Sequence, residues 1–375
     1  MEVDVMTGPV LGPVLVLDAG SSSLHLVVLD EKDRALARRD LDALPDGGAG
    51  PALEEFLGTC PPVSACGHRL VHGGPHLRRP AVVDETLRTL LDAVADLAPL
   101  HVPPALAVLD EARRLLPDVP HVACPDTAFH RDLPEPARTY ALPREWNRRH
   151  GLRRYGFHGL SYAYASRRAA ELLGRPLSDL HLLVTHLGGG CSACAVRGGV
   201  SVDTTMGFTP LEGMAMSSRS GTVDPGMLLW LQQETGVGPR RLEEVLMRES
   251  GLLGLSGTSG DTRELVRART AGDADAALAL DVFTLGVRRG LAGVAASLDR
   301  VDALVFTGEI GEDQPEVRED VAAGLTVLGV EGGLLPTNPT EPAPVSAPGA
   351  AVPVLVVPTG EVRQIARETR ACLRS

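Results

Sequence analysis

Two apolar runs of strand length, Val14 to Leu17 and Leu24 to Leu29, flank a turn of small residues, Asp18 to Ser23. The same device returns later in the chain: Leu182 to Thr185, the turn His186 to Gly190, then Ala193 to Val196 and Val200 to Asp203. A strand, a small-residue turn and a second strand bring backbone N–H groups up to phosphate oxygens with no side chain in the way. The repeat predicts two related α/β halves. Helical spacing of apolar residues predicts helices over 84–97 and 105–116, with a short buried strand at 121–124. Further helices are expected over 224–234, 240–249, 274–298 and 361–373, the third buried between layers because it is mostly Ala, Leu and Val. Ala303 to Thr307 reads as a buried strand leading into the turn Gly308 to Gly311, and Pro336 to Pro353, with six prolines, as a surface connector.

With 375 residues the chain exceeds what one core usually supports, so two domains are expected, 1–150 and 151–360, the first joined by a C-terminal helix at 361–375. A net charge of −12 and 3% aromatic residues argue against a nucleic-acid partner, which calls for a basic stripe and stacking rings. Lys32 is the only lysine, which excludes a Walker-type phosphate loop and leaves cationic work to arginine. The six cysteines are scattered, a reduced, cytoplasmic usage, and Cys191 and Cys194 read as small core residues despite their CxxC spacing. No apolar run approaches the roughly 18 residues of a membrane span, so neither a signal peptide nor a membrane partner is expected.

The segment Thr205 to Gly221 is a long run of small, polar and Gly/Pro positions around a lone cation, Arg219, and reads as a site. Together with His68 to Gly74, Leu97 to His101, Asp126 to His130, Tyr155 to Gly159, His186 to Gly190, Ile310 to Glu312 and Pro358 to Glu361, it resembles the acetate kinase family, as does Asp18 to Leu24. The resemblance implies two domains with duplicated RNase H-like (actin-like ATPase) cores, a cleft between them, a homodimer, and reversible phosphoryl transfer between ATP and acetate, with Mg²⁺ (or Mn²⁺) as cofactor. By the same resemblance the catalytic residues are Arg69, Asp126, His158 and Arg219. Arg69, Val71, Leu100, Phe157 and Pro210 would receive the acid. His25, His186, Leu187, Gly188, Gly189, Gly190, Asp261, Thr262, Arg263, Gly308, Glu309, Ile310, Gly311, Glu312 and Asp313 would hold the nucleotide. Asp18 and Glu361 would attend the metal. His72 and His101 read as scaffold hydrogen-bonders, and Asp261 with Arg263 equally as a helix cap.

The chemistry suits these residues. A carboxylic acid with a pKa of roughly 4 to 5 is already an ionised nucleophile at pH 7 and needs no general base. What it needs is charge cancellation, which forked arginines supply. The chain departs from the family at Asp18 and Gly189, each in place of Asn, at His25 in place of Lys, at Glu309 in place of Gly, and at Asp313 in place of Asn. Glu309 and Asp313 add negative charge beside polyphosphate and are expected to weaken ATP binding or shift the donor. Propionate or another short acid, a hydroxyl acceptor with Asp126 as base, and a degenerate nucleotide-binding paralogue stand as the alternatives.

Overall fold

The computed structural model describes residues 12–20, 23–41, 49–98 and 101–375. The chain forms two compact units, Met1–Arg131 with Gly360–Ser375, and Asp132–Thr359. The division after Arg131 differs from the expected boundary near 150 because residues 138–154 are bonded into the second unit. Arg154 N–H reaches Arg138 O at 2.8 Å, and Arg154 Nη1 reaches Thr205 O at 2.9 Å.

The first unit is built on β1 (Val14–Ala19), β2 (Leu24–Leu29), β3 (Ala35–Leu41), β4 (Ala65–Leu70), β5 (Ala81–Val82) and β6 (His121–Pro125), in sheet order β3-β2-β1-β4-β6-β5. β1, β4 and β6 run parallel and the outer strands antiparallel. All six residues of β1 are buried, which is why it reads as a continuous apolar run instead of an alternation. The helices Val102–Leu115 and Glu361–Arg374 both pack on β1 and β4. A Cβ on Gly67 would lie 2.3 Å from Thr369 Oγ1 and 2.8 Å from Ile365 Cγ2. Glycine at that position in β4 therefore lets the C-terminal helix lie directly on the sheet.

The second unit repeats the plan with β7 (His181–Leu187), β8 (Cys191–Arg197), β9 (Val200–Thr204), β10 (Ala303–Thr307), β11 (Ala343–Pro344) and β12 (Val354–Val356). The order β9-β8-β7-β10-β12-β11 matches the first sheet strand for strand, with the same parallel and antiparallel senses. Cys191 and Cys194 are three apart on β8, so they face opposite sides of the sheet. Burial pushes the Cys191 thiol up to about 12, away from thiolate chemistry.

Two expectations need correction. The pattern over 84–97 breaks into a helix, Glu85–Asp92, and a 3₁₀ turn, Ala95–Leu97. The helix Ala274–Ala295 is not enclosed: Leu278, Val282 and Leu285 are 55%, 40% and 41% exposed, because only one side of it faces the sheet.

Candidate functional site

In the first unit the carboxyl ends of the three parallel strands deliver Asp18, Arg69 and Asp126 to one place, as open α/β sheets do for ligands. Arg69 Nη1 donates to Asp18 Oδ1 at 3.0 Å, and Nη2 to Asp126 Oδ2 at 3.0 Å. Glu361 Oε2, on the first residue of the C-terminal helix, lies 3.8 Å from the same Nη1. Burial opposes the charge of Arg69, but Asp126, Glu361 and Asp18 overcome it and hold the guanidinium firmly protonated, its pKa well above the ordinary value. The aspartate at position 18 thus adds an ion pair that an asparagine could not make.

The donor set suits a hard cation. Mg²⁺ is held by one or two carboxylates plus water and substrate phosphates, and seldom by a closed protein cage. Asp18 and Glu361 converge on one guanidinium nitrogen, so both carboxylates face a shared volume. No ready-made group of three metal-ligating side chains occurs among the described residues.

Around this cluster, Val71 is buried, and His72 Nδ1 accepts from Gly74 N–H at 2.8 Å, a scaffold role. His101 precedes the helix Val102–Leu115. Leu100 lies outside the described residues. His25 sits opposite Asp18 on β2, and its Nδ1 pairs with Asp40 Oδ1 at 2.7 Å.

In the second unit the turn Gly188–Gly190 joins β7 to β8, and three side chains converge on it. His158 and His186 stack with ring centroids 4.2 Å apart, each spending Nδ1 on a serine, Ser192 at 2.8 Å and Ser161 at 2.9 Å. Their Nε2 atoms face the glycines: a Cβ on Gly190 would lie 3.1 Å from His158 Nε2, and one on Gly188 3.5 Å from His186 Nε2. Arg219 Nη1 would stand 3.9 Å from that Gly190 Cβ, and it donates to Pro210 O at 3.2 Å. Burial lowers the pKa of Arg219, an effect that Cys191 partly offsets. His158 has φ 57°, a left-handed conformation costing of order 1–3 kcal/mol outside glycine. Its bond to Ser192, itself bonded to the Tyr162 hydroxyl, holds it there. Phe157 beside it and Pro210 are buried.

A cavity of about 660 Å³ opens beside the turn, a size suited to a nucleotide. It is lined by Gly188, Gly189, Asp261, Thr262, Arg263, Glu309, Ile310 and Asp313, as expected, and by Ser217, Ser259, Gly260, Glu264 and Gln314, which were not. Asp261 caps the helix Thr262–Thr270, accepting from Arg263 N–H at 2.8 Å, and its carboxylate also forks onto the Arg263 guanidinium. The pair thus forms a helix cap and also lines the cavity. Leu187, Gly190, Gly308, Gly311, Glu312 and His186 lie outside the lining. Glu312 Oε1 instead accepts from Gly308 N–H at 3.0 Å and Thr359 N–H at 2.8 Å, tying two turns together. Burial raises its pKa, against the pull of those bonds.

Several residues here escaped the sequence reading. Ser161 and Tyr162 follow His158 in the helix Gly159–Leu173, where i+3 and i+4 share a face. Tyr140 donates to Glu212 Oε2 at 2.5 Å and receives Phe208 N–H at 2.7 Å, while Arg154 Nη2 takes Glu212 Oε1 at 2.6 Å. This group clamps the segment ending in Arg219. Its only sequence signal was polar residues of unassigned purpose.

A model of the Acetokinase family matches residues 55–367. An acetate kinase of Clavibacter sepedonicus is 48% identical over 333 residues, covering 88% of this chain and 82% of the relative. Among solved structures, an acetate kinase of Porphyromonas gingivalis superposes with a TM-score of 0.88 at 33% identity, covering 96% of this chain and 100% of its own. A propionate kinase of Francisella tularensis subsp. tularensis gives 0.86 at 30%, with 96% and 100% covered. The chain belongs to the acetokinase family.

Proposed function

We propose that the protein is an acetate kinase, transferring the γ-phosphoryl group of ATP to acetate. A carboxylate oxygen forms a bond to the γ-phosphorus as the bond to the β,γ-bridging oxygen breaks; acetyl phosphate and ADP result, and the reverse reaction makes ATP. No proton moves, because acetate is ionised at neutral pH. Asp126 is therefore a positioning carboxylate for Arg69 and not a base. Arg69 and Arg219 cancel charge on the carboxylate and the transferring phosphoryl, with His158 and His186 beside the phosphates at the glycine turn. Val71, Leu100, Phe157 and Pro210 take the methyl group. Asp18 and Glu361 would hold Mg²⁺ or its waters; bound there, the ion would offset the negative charge of the phosphates.

The observation that carries this reading is the convergence of His158, His186 and Arg219 on Gly188–Gly190 beside a nucleotide-sized cavity, in a chain of this family. Propionate is the second reading, favoured by the likeness to a propionate kinase, since one methylene in an apolar pocket changes discrimination by only about 1–3 kcal/mol. Trapping acyl phosphate with hydroxylamine in the presence of Mg²⁺ and ATP, with acetate, propionate, butyrate and a polyol compared, decides among them. Hydroxamate with acetate or propionate is the expected result. Silence with every acid, with turnover of the polyol, would replace the acid by a hydroxyl acceptor, and no turnover at all would favour a nucleotide-binding paralogue.

The working form is a homodimer: Leu229 and Trp230, 59% and 57% exposed, and the open face of Ala274–Ala295 give apolar surface to a second copy. No helix among the described residues is long and apolar enough to cross a membrane. We assign the reaction to the cytoplasm, where ATP is available and the six cysteines stay reduced.

A further inference from the structure

Two features have no part in the chemistry above: the Pro-rich connector after Gly333, and Arg318, which is completely buried. Arg318 lies on the helix Pro315–Ala323. Its Nη1 donates to the carbonyls of Gly311 at 2.9 Å and Glu312 at 2.7 Å, and its Nη2 to Thr337 O and, at 3.3 Å, Asn338 Oδ1. Asn338 Nδ2 in turn donates to Asp313 O at 3.0 Å. The neighbouring Glu319 accepts from Gly333 N–H and Leu334 N–H, both at 2.8 Å. Two adjacent side chains thus grip the connector, the cation by its carbonyls and the anion by its N–H groups.

These acceptors of Arg318 are neutral, and burial lowers its pKa, against the pull of Glu316 and Asp313. Burying a charge on carbonyls alone is expensive, so what it holds must matter. Gly311, Glu312 and Asp313 close the five-residue helix Glu309–Asp313. So short a helix has no stability of its own, and its last carbonyls lack intrahelical partners. A cation at that end satisfies them and complements the dipole. The other face of the same helix supplies Glu309, Ile310 and Asp313 to the 660 Å³ cavity.

We infer that Arg318, together with Asn338, is a positioning residue for the phosphoryl donor: it fixes the cavity wall Glu309–Asp313 and makes the Pro-rich connector part of the nucleotide site. The inference rests on the donor-cavity reading above. Arg318 itself touches no substrate.

Calorimetric titration of MgADP into full-length Arg318→Lys and Asn338→Ala, with the KM for acetate and a thermal melt of each, tests it. Lysine keeps the charge but cannot reach Gly311, Glu312 and Thr337 together. The lost bonds are expected to raise the MgADP Kd about tenfold in Arg318→Lys and about threefold in Asn338→Ala. The acetate KM should move less than about twofold, a split that general loosening would not give. A nucleotide Kd within about twofold of wild type in both variants, or an acetate KM rising in step, overturns the inference. Should Arg318→Lys fail to fold, Asn338→Ala decides alone, since Asn338 is exposed. Wild-type protein that binds no MgADP would remove the donor-cavity reading as well; binding without a shift in the variants removes only this one.

Discussion

Both sheets pair their strands in one order and sense, yet each does something different with a pair of histidines. In the first unit His68 Nε2 and His121 Nδ1 bond to each other at 2.9 Å, and His121 Nε2 meets Leu116 O at 3.1 Å. A carbonyl can only accept, so His121 donates from Nε2, accepts at Nδ1, and receives the proton of His68 Nε2. His68 Nε2 and both ring nitrogens of His121 are spent on the scaffold, one bond within the sheet and one to the end of the helix Val102–Leu115. In the second unit His158 and His186 bond not to each other but to serines, which leaves both Nε2 atoms toward the glycine turn. Polar groups satisfied by one another build a scaffold; polar groups oriented by a third party and aimed at a turn without side chains build a site. The arginines divide the same way. Arg69 is gripped by carboxylates, whereas Arg219 leans on a carbonyl.

Substituting each arginine separates these roles. Arg219→Ala is expected to lower kcat by about 10³–10⁵ with a smaller loss of stability than at Arg69, since the bond it gives up to Pro210 is to a neutral carbonyl. Arg69→Ala should also abolish turnover, but in addition it leaves Asp18, Asp126 and Glu361 without their shared cation, costing about 3–5 kcal/mol of stability. Urea unfolding of both variants beside hydroxamate assays would reveal the contrast; equal stability losses would mean that the two arginines are held alike.

A smaller effect is expected in the donor cavity. Asp261 first and, less strongly, Glu309 and Asp313 raise the pKa of the Arg263 guanidinium. Replacing Glu309 by glycine removes one of these negative charges and should tighten MgADP by up to about tenfold, or about 1.4 kcal/mol. An unchanged Kd would mean that Glu309 points its charge away from the phosphates.

The histidines give the mildest test. Burial, and then His121 and Arg113, depress the pKa of His68 well below 6.5, and burial lowers that of His121. A histidine held neutral in the fold contributes stability that is present above its unfolded pKa, near 6.5, and is lost as pH falls below it. Stability should therefore decline below about pH 6.5, by at most about 1.4 kcal/mol per pH unit for each group. His121→Gln should flatten that decline. The same slope in the variant would assign the acid sensitivity elsewhere.

Much of this was readable in advance because repeated local patterns dictate it. The turns after Leu17 and Thr185 announced two like sheets, and the motif order announced the family. The lining residues Gly188, Gly189, Asp261, Arg263, Glu309 and Asp313 were named from the resemblance to the family, with the glycine turn at 188–190 also legible locally. The structural part of Glu312 went unread because its letter carries no sign that its carboxylate reaches Thr359, 47 positions along the chain. Tyr140 and Ser192 were missed because their partners lie far along the chain, and Arg318 because most of its acceptors are backbone carbonyls that no letter marks.

The strand-turn-strand openings of both sheets and the Asp261 cap follow from apolar runs, glycine placement and a short polar side chain, all properties of neighbouring residues. So does the choice of arginine as the working cation, in a chain with a single lysine. Which histidines face each other and which face the turn, which arginine is gripped by acids, and which connector braces the donor cavity were decided only when the sheets closed. These are contacts between distant segments, fixed by packing and by the need to satisfy every buried polar group, and no local stretch of sequence contains them.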